Sequence, residues 1–410
     1  MRIFLHDYGA YPFTPPLARE LARRGHEVDY AFCASLTTTP GGQHTLQVEP
    51  HERLRVHPIE LPSPLNKYSF VKRFLQERHY GQLLEQFFAG LQSDVVVSAN
   101  CPLDAQAKLW NSAAKRGVPT LYWLQDLLGV AAERLLREKI PVAGALIGKH
   151  YLTMERRLLR KSAHVVAITD GFADDLRRAA VKAADWSVLE NWAPVEQVDP
   201  KSKNNDYAKR QGWSECGCVL YTGTLGMKHN PDLLLDVALE MRHRGRAERM
   251  VVTSQGIGAE YLLRKKAEMD LETLQVLPYV PFDDVPDLMG SADVLTAVLS
   301  EDAAKYSVSS KVLAYACAER PISAAIPKDN RAAELIRTNG WGEVCEPTDS
   351  DTFVRQTIGL LDDADASRRC GRAARQYAEE HFAIETVCDS FETILDKTVR
   401  SSHRADRGLS

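Results

Sequence analysis

Short apolar runs alternate with stretches of helical periodicity along nearly the whole chain. Residues 3–5 (Ile-Phe-Leu) read as a short buried strand that starts almost at the first residue. The helical pattern over 16–25 places Leu17, Leu21 and Ala22 on one face and stops at Gly25, since glycine accepts the left-handed backbone that ends a helix. An extended pattern resumes at 28–32, and apolar, partly β-branched runs follow at 94–98, 119–124 and 164–169. The polar, turn-rich stretch 195–217 reads as a connection between domains. A second series begins behind it, with strand patterns at 218–221, 250–253, 274–277, 292–297, 321–325 and 342–345 and a helix from Pro231. Two helical patterns close the chain, 351–362 and 367–398, the latter broken near Phe382 and Ala383, with a polar tail from Ser401 that predicts disorder.

Strands buried on both faces and separated by helices imply parallel, doubly wound sheets. The predicted class is therefore α/β, with two tandem Rossmann-like domains. Such domains hold their ligands at the carboxyl ends of their strands. If those ends face each other they enclose an interdomain cleft suited to a reaction between two substrates.

The 410-residue length fits two cores rather than one, and a composition of 44% hydrophobic and 26% charged residues is that of a soluble globular protein. Uninterrupted apolar runs stay well short of the roughly 20 residues that span a bilayer. The eight cysteines are scattered, and the one close pair, Cys216 and Cys218, has no second pair at zinc spacing. Reduced thiols and a cytoplasmic location are expected. Net charge is −4 but unevenly shared: residues 1–195 hold 24 basic and 20 acidic side chains, the remainder 27 and 35. Residues 130–161 alone carry eight basic against three acidic side chains beside Leu135, Leu146, Ile147, Leu158 and Leu159. A basic amphipathic stretch of this kind can rest on an anionic membrane surface, and it also describes a solvated helix with a core-facing stripe.

Four segments carry candidate chemistry. The loop after the first strand contains Gly9 and Ala10, where a glycine permits close backbone approach and the following helix start favours an anion. The Gly-x-Gly-x-x-Gly pattern of dinucleotide-binding dehydrogenases is absent there. The second segment, 221–231, runs from strand through Gly223, Thr224 and Gly226 to Lys228 at a helix start, able to set an ammonium on a diphosphate. The third, 306–321, places Ser309, Ser310 and Lys311 at a helix N-terminus whose amides can bind phosphate oxygens. In the fourth, Gln125 and Asp126 follow the end of a buried strand.

Together these segments resemble the family 4 retaining glycosyltransferases of the GT-B fold, and among them the bacterial enzymes that build O-antigen, capsule or colanic-acid-type polysaccharide. The resemblance includes 16–28, Gln125-Asp126, Asn191-Trp192, 223–228, Ala292-Asp293-Val294 and Ser310-Lys311 through Pro321. It implies an acceptor-binding domain over 1–195, a nucleotide-sugar domain over 196–382, a helix over 383–400 crossing back onto the first domain, and a tail over 401–410. The implied reaction moves a hexosyl unit from a nucleoside diphosphate sugar, with UDP as the carrier, to an acceptor hydroxyl with retention, in cell-surface glycan or glycoconjugate synthesis. The acceptor is a glycan, a lipid-linked sugar or a small molecule, met in the cytoplasm or at the inner face of the membrane. No cofactor, metal or nucleic acid is implied. Lys228, Lys311 and Asp126 are assigned to catalysis, and Gly9, Ala10, Gln125, Gly223, Thr224, Gln255, Tyr279, Val280, Ser309 and Ser310 to substrate binding.

This chain departs from the family pattern at four places. Two glutamates eight residues apart are replaced by Tyr306 and Ala314, a basic residue by Thr224, and a histidine at or near 123–125 is missing. Those losses keep two alternatives open: a non-catalytic partner subunit and a nucleotide-sugar epimerase of the same fold. Asp363-Ala364-Asp365 is the one Asp-x-Asp with acidic company, and it reads as solvated charge at a helix end.

Overall fold

A computed structural model describes residues 1–11, 13–36, 51–65, 69–226, 229–245, 247–301 and 309–406. The chain forms two units, one of residues 1–190 with 384–410 and the other of residues 191–383.

The first unit is built on seven parallel strands: β1 (Arg2–Asp7), β2 (Glu27–Cys33), β3 (Leu54–Ile59), β4 (Val95–Ala99), β5 (Thr120–Leu124), β6 (His164–Ala167) and β7 (Trp186–Val188). Their order in the sheet is β3-β2-β1-β4-β5-β6-β7. Every residue of β4, β5 and β6 is buried, as expected of strands covered by helices on both faces. The helices are α1 (Thr14–Arg23), α2 (Phe70–Ala89), α3 (Leu103–Lys115), α4 (Leu128–Lys139), α5 (Pro141–Lys161) and α6 (Ala173–Arg178). Proline in the first turn starts α1, and Gly25, at φ +95°, follows its end. The basic stretch at 130–161 is a two-helix hairpin, α4 with α5, rather than a single element.

The C-terminal helix, Ile384–Asp406, completes this unit against α1. Arg24 donates to Glu392 Oε2 at 2.7 Å, His26 Nε2 lies 2.7 Å from Glu392 Oε1, and the Phe391 ring meets Trp123 edge-on at 5.2 Å. The helix runs on to Asp406, past Ser401, where composition alone predicts a disordered tail; a polar sequence with period-matched apolar positions is as compatible with a surface helix as with coil.

The second unit repeats the theme with six parallel strands: β8 (Cys218–Thr222), β9 (Arg249–Thr253), β10 (Leu274–Leu277), β11 (Val294–Val298), β12 (Ile322–Ala325) and β13 (Gly342–Cys345), in the order β10-β9-β8-β11-β12-β13. Its helices are α7 (Asp206–Gln211), α8 (Asp232–His243), α9 (Ile257–Met269), α10 (Val285–Gly290), α11 (Ser310–Cys317), α12 (Arg331–Asn339), α13 (Ser350–Asp362) and α14 (Ala364–His381). The segment read as a connection is part of this unit. Asn205 caps α7 by accepting from Ala208 N, Trp213 is buried and donates Nε1–H to Gln275 Oε1 at 2.9 Å, and Lys203 pairs with Asp293. A polar stretch can dock through single large side chains, which a composition reading does not weigh.

In each sheet the winding reverses at one strand pair. The reversal lies between β1 and β4 in the first unit and between β8 and β11 in the second. Ligands of open α/β sheets bind beyond the carboxyl ends of the strands at such a point.

Candidate functional site

At the reversal of the first sheet, β1 ends on Asp7, whose carboxylate is buried. It accepts from Thr14 Oγ1 at 2.8 Å, Tyr11 N at 2.7 Å, Asn100 Nδ2 at 3.2 Å and Gly9 N at 3.2 Å. Burial pushes the carboxyl above its ordinary range, and the four hydrogen bonds oppose that shift. The loop is thereby tied to the start of α1, with Ala10 held at φ +49°. Gly9 has no room for a side chain because the Tyr11 ring lies where its Cβ would be. The glycine read as a place for ligand approach is thus first a seat for an aromatic ring.

Behind this loop His6 shares its ring nitrogens with Ser98 Oγ and Tyr80 OH, each at 2.8 Å, and burial lowers its pKa to about 3, so it is a neutral core group. Gln125 is buried one residue past β5, and Asp126 beside it is exposed. The Tyr11 phenol is held protonated by its enclosure and then by the charges of Asp7 and Asp126. Asp7 and Tyr11 therefore join Gly9, Ala10, Gln125 and Asp126 on this rim. Sequence reasoning passed over both, although a lone acidic residue ending a buried first strand is a readable signal.

At the reversal of the second sheet the residues converge more closely. Strand β8 ends at Thr222, and Gly223 follows at φ +113°, its N–H donated to Thr253 O at 3.0 Å. Tyr221 OH donates to Thr224 O at 2.8 Å and closes the turn, while the Thr224 and Tyr279 hydroxyls bond at 2.9 Å. Val280, half-buried, adjoins Tyr279, and exposed Gln255 lies two residues past β9.

Helix α11 is pinned to the same spot. Thr222 N donates to Tyr315 OH at 3.0 Å, and Lys311, four residues earlier, lies on the same helix face. Its Cε would be 3.1 Å from a Cβ at Gly223. The Lys311 Nζ is closed to solvent and has no hydrogen-bond partner among the described residues. Burial pushes its pKa well below the ordinary lysine value. Ser309 occupies the N-cap position, but its side chain makes no capping bond there. The expected side-chain cap is thus absent among the described residues, while Ser310 is exposed at the first turn. Tyr306 and Lys228 lie outside the described residues, and Ala314 is half-buried on α11.

An amine buried without a hydrogen-bond partner among the described residues, against a glycine turn and a helix start, is an arrangement that an anion completes. Asp363, by contrast, spends its carboxylate capping α14, accepting from Asp365 N and Ala366 N.

Two parallel doubly wound sheets with sites at their reversal points define the GT-B class of structure. The chain carries a glycosyl transferase 4-like domain over residues 9–192 and a glycosyl transferases group 1 domain over residues 217–363. Among solved structures it is similar in fold to Anabaena Alr3699/HepE in complex with UDP, with a TM-score of 0.71 at 15% identity over 97% of this chain and 100% of that one. Sucrose-phosphate synthase from Thermosynechococcus elongatus gives a TM-score of 0.72 at 15% identity over 97% and 99% of the two chains. In sequence it is 22% identical over 246 residues to the alpha-D-kanosaminyltransferase of Streptomyces kanamyceticus, an alignment spanning 58% of this chain and 62% of that enzyme.

Proposed function

We propose that the chain transfers a hexosyl unit from a nucleoside diphosphate sugar to an acceptor hydroxyl, with retention and without a metal, in the synthesis of a cell-surface glycan or glycoconjugate. The observation that carries this reading is the Lys311 Nζ beside Gly223, buried with no hydrogen-bond partner among the described residues. The diphosphate sits on that amine, on the Gly223–Thr224 turn and on the first amides of α11, with Lys228 as a second cation. Gln255, Tyr279, Val280 and the two serines line the rest of the donor. The UDP held by the Anabaena neighbour supports UDP as the carrier.

The acceptor hydroxyl meets the Gly9, Ala10, Gln125 and Asp126 rim. Its oxygen bonds to the anomeric carbon on the face that the diphosphate leaves, and the carbon–oxygen bond to phosphate breaks. The hydroxyl proton passes to the departing phosphate oxygen, so configuration is kept without a separate base. Cations and amides placed where the leaving group gains charge lower the barrier. The basic stretch of α4 and α5 rests on an anionic membrane surface, where a lipid-linked acceptor is met.

Release of UDP from a panel of UDP-sugars, followed by NMR of the product anomeric centre, tests the reading. Transfer with the donor configuration kept is expected. Inverted product, or nucleotide-sugar epimerised without transfer, would replace it.

A further inference from the structure

The most exposed large apolar side chains of the described residues lie on the α4–α5 hairpin. Val142 is 80% exposed and Leu146 70%, with Ile140, Ile147 and Leu135 around them. The two helices are pressed together: a Cβ on Gly148 would lie 2.6 Å from Glu133 Cα, and one on Gly144 would collide with the Leu136 carbonyl. The hairpin is therefore a close-packed unit that does not need its outer face for stability.

Its foot is anchored in the first unit. Tyr151 OH donates to Asp104 Oδ2 at 2.9 Å, and Glu155, 1% exposed, accepts from Gly129 N at 3.0 Å at the start of α4. From Tyr151 back to Pro141 the helix extends about 15 Å at its usual rise per residue.

Helical spacing puts Val142, Leu146, Lys149, Arg157, Arg160 and Lys161 on one outward stripe, apolar at the tip and cationic toward the foot. Among the described residues none of those four cations has an acidic partner, and the one acidic residue of α5, Glu155, is turned inward. Exposed apolar side chains argue for a surface that buries them; unpaired cations behind them argue that this surface is anionic.

We propose that the hairpin docks the protein on an anionic phospholipid bilayer, with Val142, Leu146 and Ile140 among the acyl chains and Lys149, Arg157, Arg160 and Lys161 at the phosphates. This deepens the membrane part of the functional reading above: it replaces a purely electrostatic contact with an inserted tip. Each side chain of valine or leucine size withdrawn from water contributes more than a factor of ten, and each cation at the surface about a factor of five.

The test uses the full chain with vesicles of phosphatidylcholine, with and without phosphatidylglycerol. The wild type should float with the anionic vesicles only, and Val142→Asp with Leu146→Asp should lower partitioning by at least about tenfold. A Leu146→Trp variant should shift its emission to the blue on those vesicles. Changing Arg157, Arg160 and Lys161 to Gln should weaken binding most at low salt. All five positions mutated are exposed, and UDP-induced thermal stabilisation reports whether each variant is folded. Equal flotation of the double aspartate variant, or no flotation of the wild type at low salt, overturns the proposal. So does a dimer that the aspartates dissociate while wild type ignores vesicles. UDP stabilisation that persists in any of these outcomes leaves the transferase reading standing; its loss in the wild type would count against that reading alone.

Discussion

The Lys311 Nζ lies 3.3 Å from the centroid of the Tyr221 ring. The ring is fixed from below by the hydrogen bond of its hydroxyl to Thr224 O, so the amine rests on a rigid aromatic face at the end of β8. A ring face stabilises an ammonium by about 2 kcal/mol when both are desolvated. That is less than the several kcal/mol of removing a cation from water, and the balance leaves the lysine with a depressed pKa. In the proposed donor site, a phosphate arriving at Gly223 would supply the missing counter-charge.

Gly223→Ala should damage this site twice. Its backbone sits at φ +113°, which an alanine adopts only with strain, and the new Cβ would press on Lys311 Cε at 3.1 Å. We expect a stability loss of about 1 kcal/mol or more and weaker UDP binding. Thermal melts with and without UDP measure both, and an unchanged UDP-induced shift would separate Gly223 from the donor site.

Binding of the diphosphate should also take up a proton. Burial depresses the free lysine and a bound dianion raises it, so UDP affinity falls as pH rises through the interval between the two values. Calorimetry in buffers of different ionisation enthalpy reads the uptake directly. It should vanish in Lys311→Met; proton release in the wild type would contradict the assignment.

Glu155 gives the first unit a pH dependence of its own. Burial raises its pKa from 4.5 to about 7, against hydrogen bonds from the backbone at Gly129, Val130 and Leu128. A carboxyl raised on folding costs stability as pH climbs from the unfolded value through the folded one, here about 3 kcal/mol across pH 4.5 to 7. Glu155→Gln should therefore gain on the wild type by about that much as the pH reaches the neutral side of this window. Parallel stability curves for the two proteins across that window would refute the buried charge.

Turnover should persist in excess EDTA, because cations and helix amides meet the diphosphate charge. Activity abolished by EDTA and restored by magnesium would move that charge onto a metal.

The inner strands of both sheets were legible because each holds a short apolar run, as at 95–97 and 165–168. Edge strands β3 and β7 were not. β3 exposes Arg55 and carries Pro58, a residue confined to edges, and β7 is three residues long. Gly223 and Lys311 were readable from their places at a strand end and a helix start. Their meeting was not, because it depends on Tyr315 bonding Thr222, a long-range contact that spacing does not encode. The hairpin of α4 and α5 was half legible: its charge stood out, while its apolar tip reads like any core-facing stripe until packing shows which face is covered.

The most direct test of the donor site is calorimetric titration of UDP into wild type and Lys311→Ala, paired with steady-state turnover on a UDP-sugar. The account expects measurable UDP binding by the wild type, clearly weakened in the variant, with turnover lowered by about 2–4 kcal/mol of transition-state stabilisation. Wild-type protein that binds no nucleoside diphosphate, or a variant that matches it in both affinity and turnover, would contradict the account.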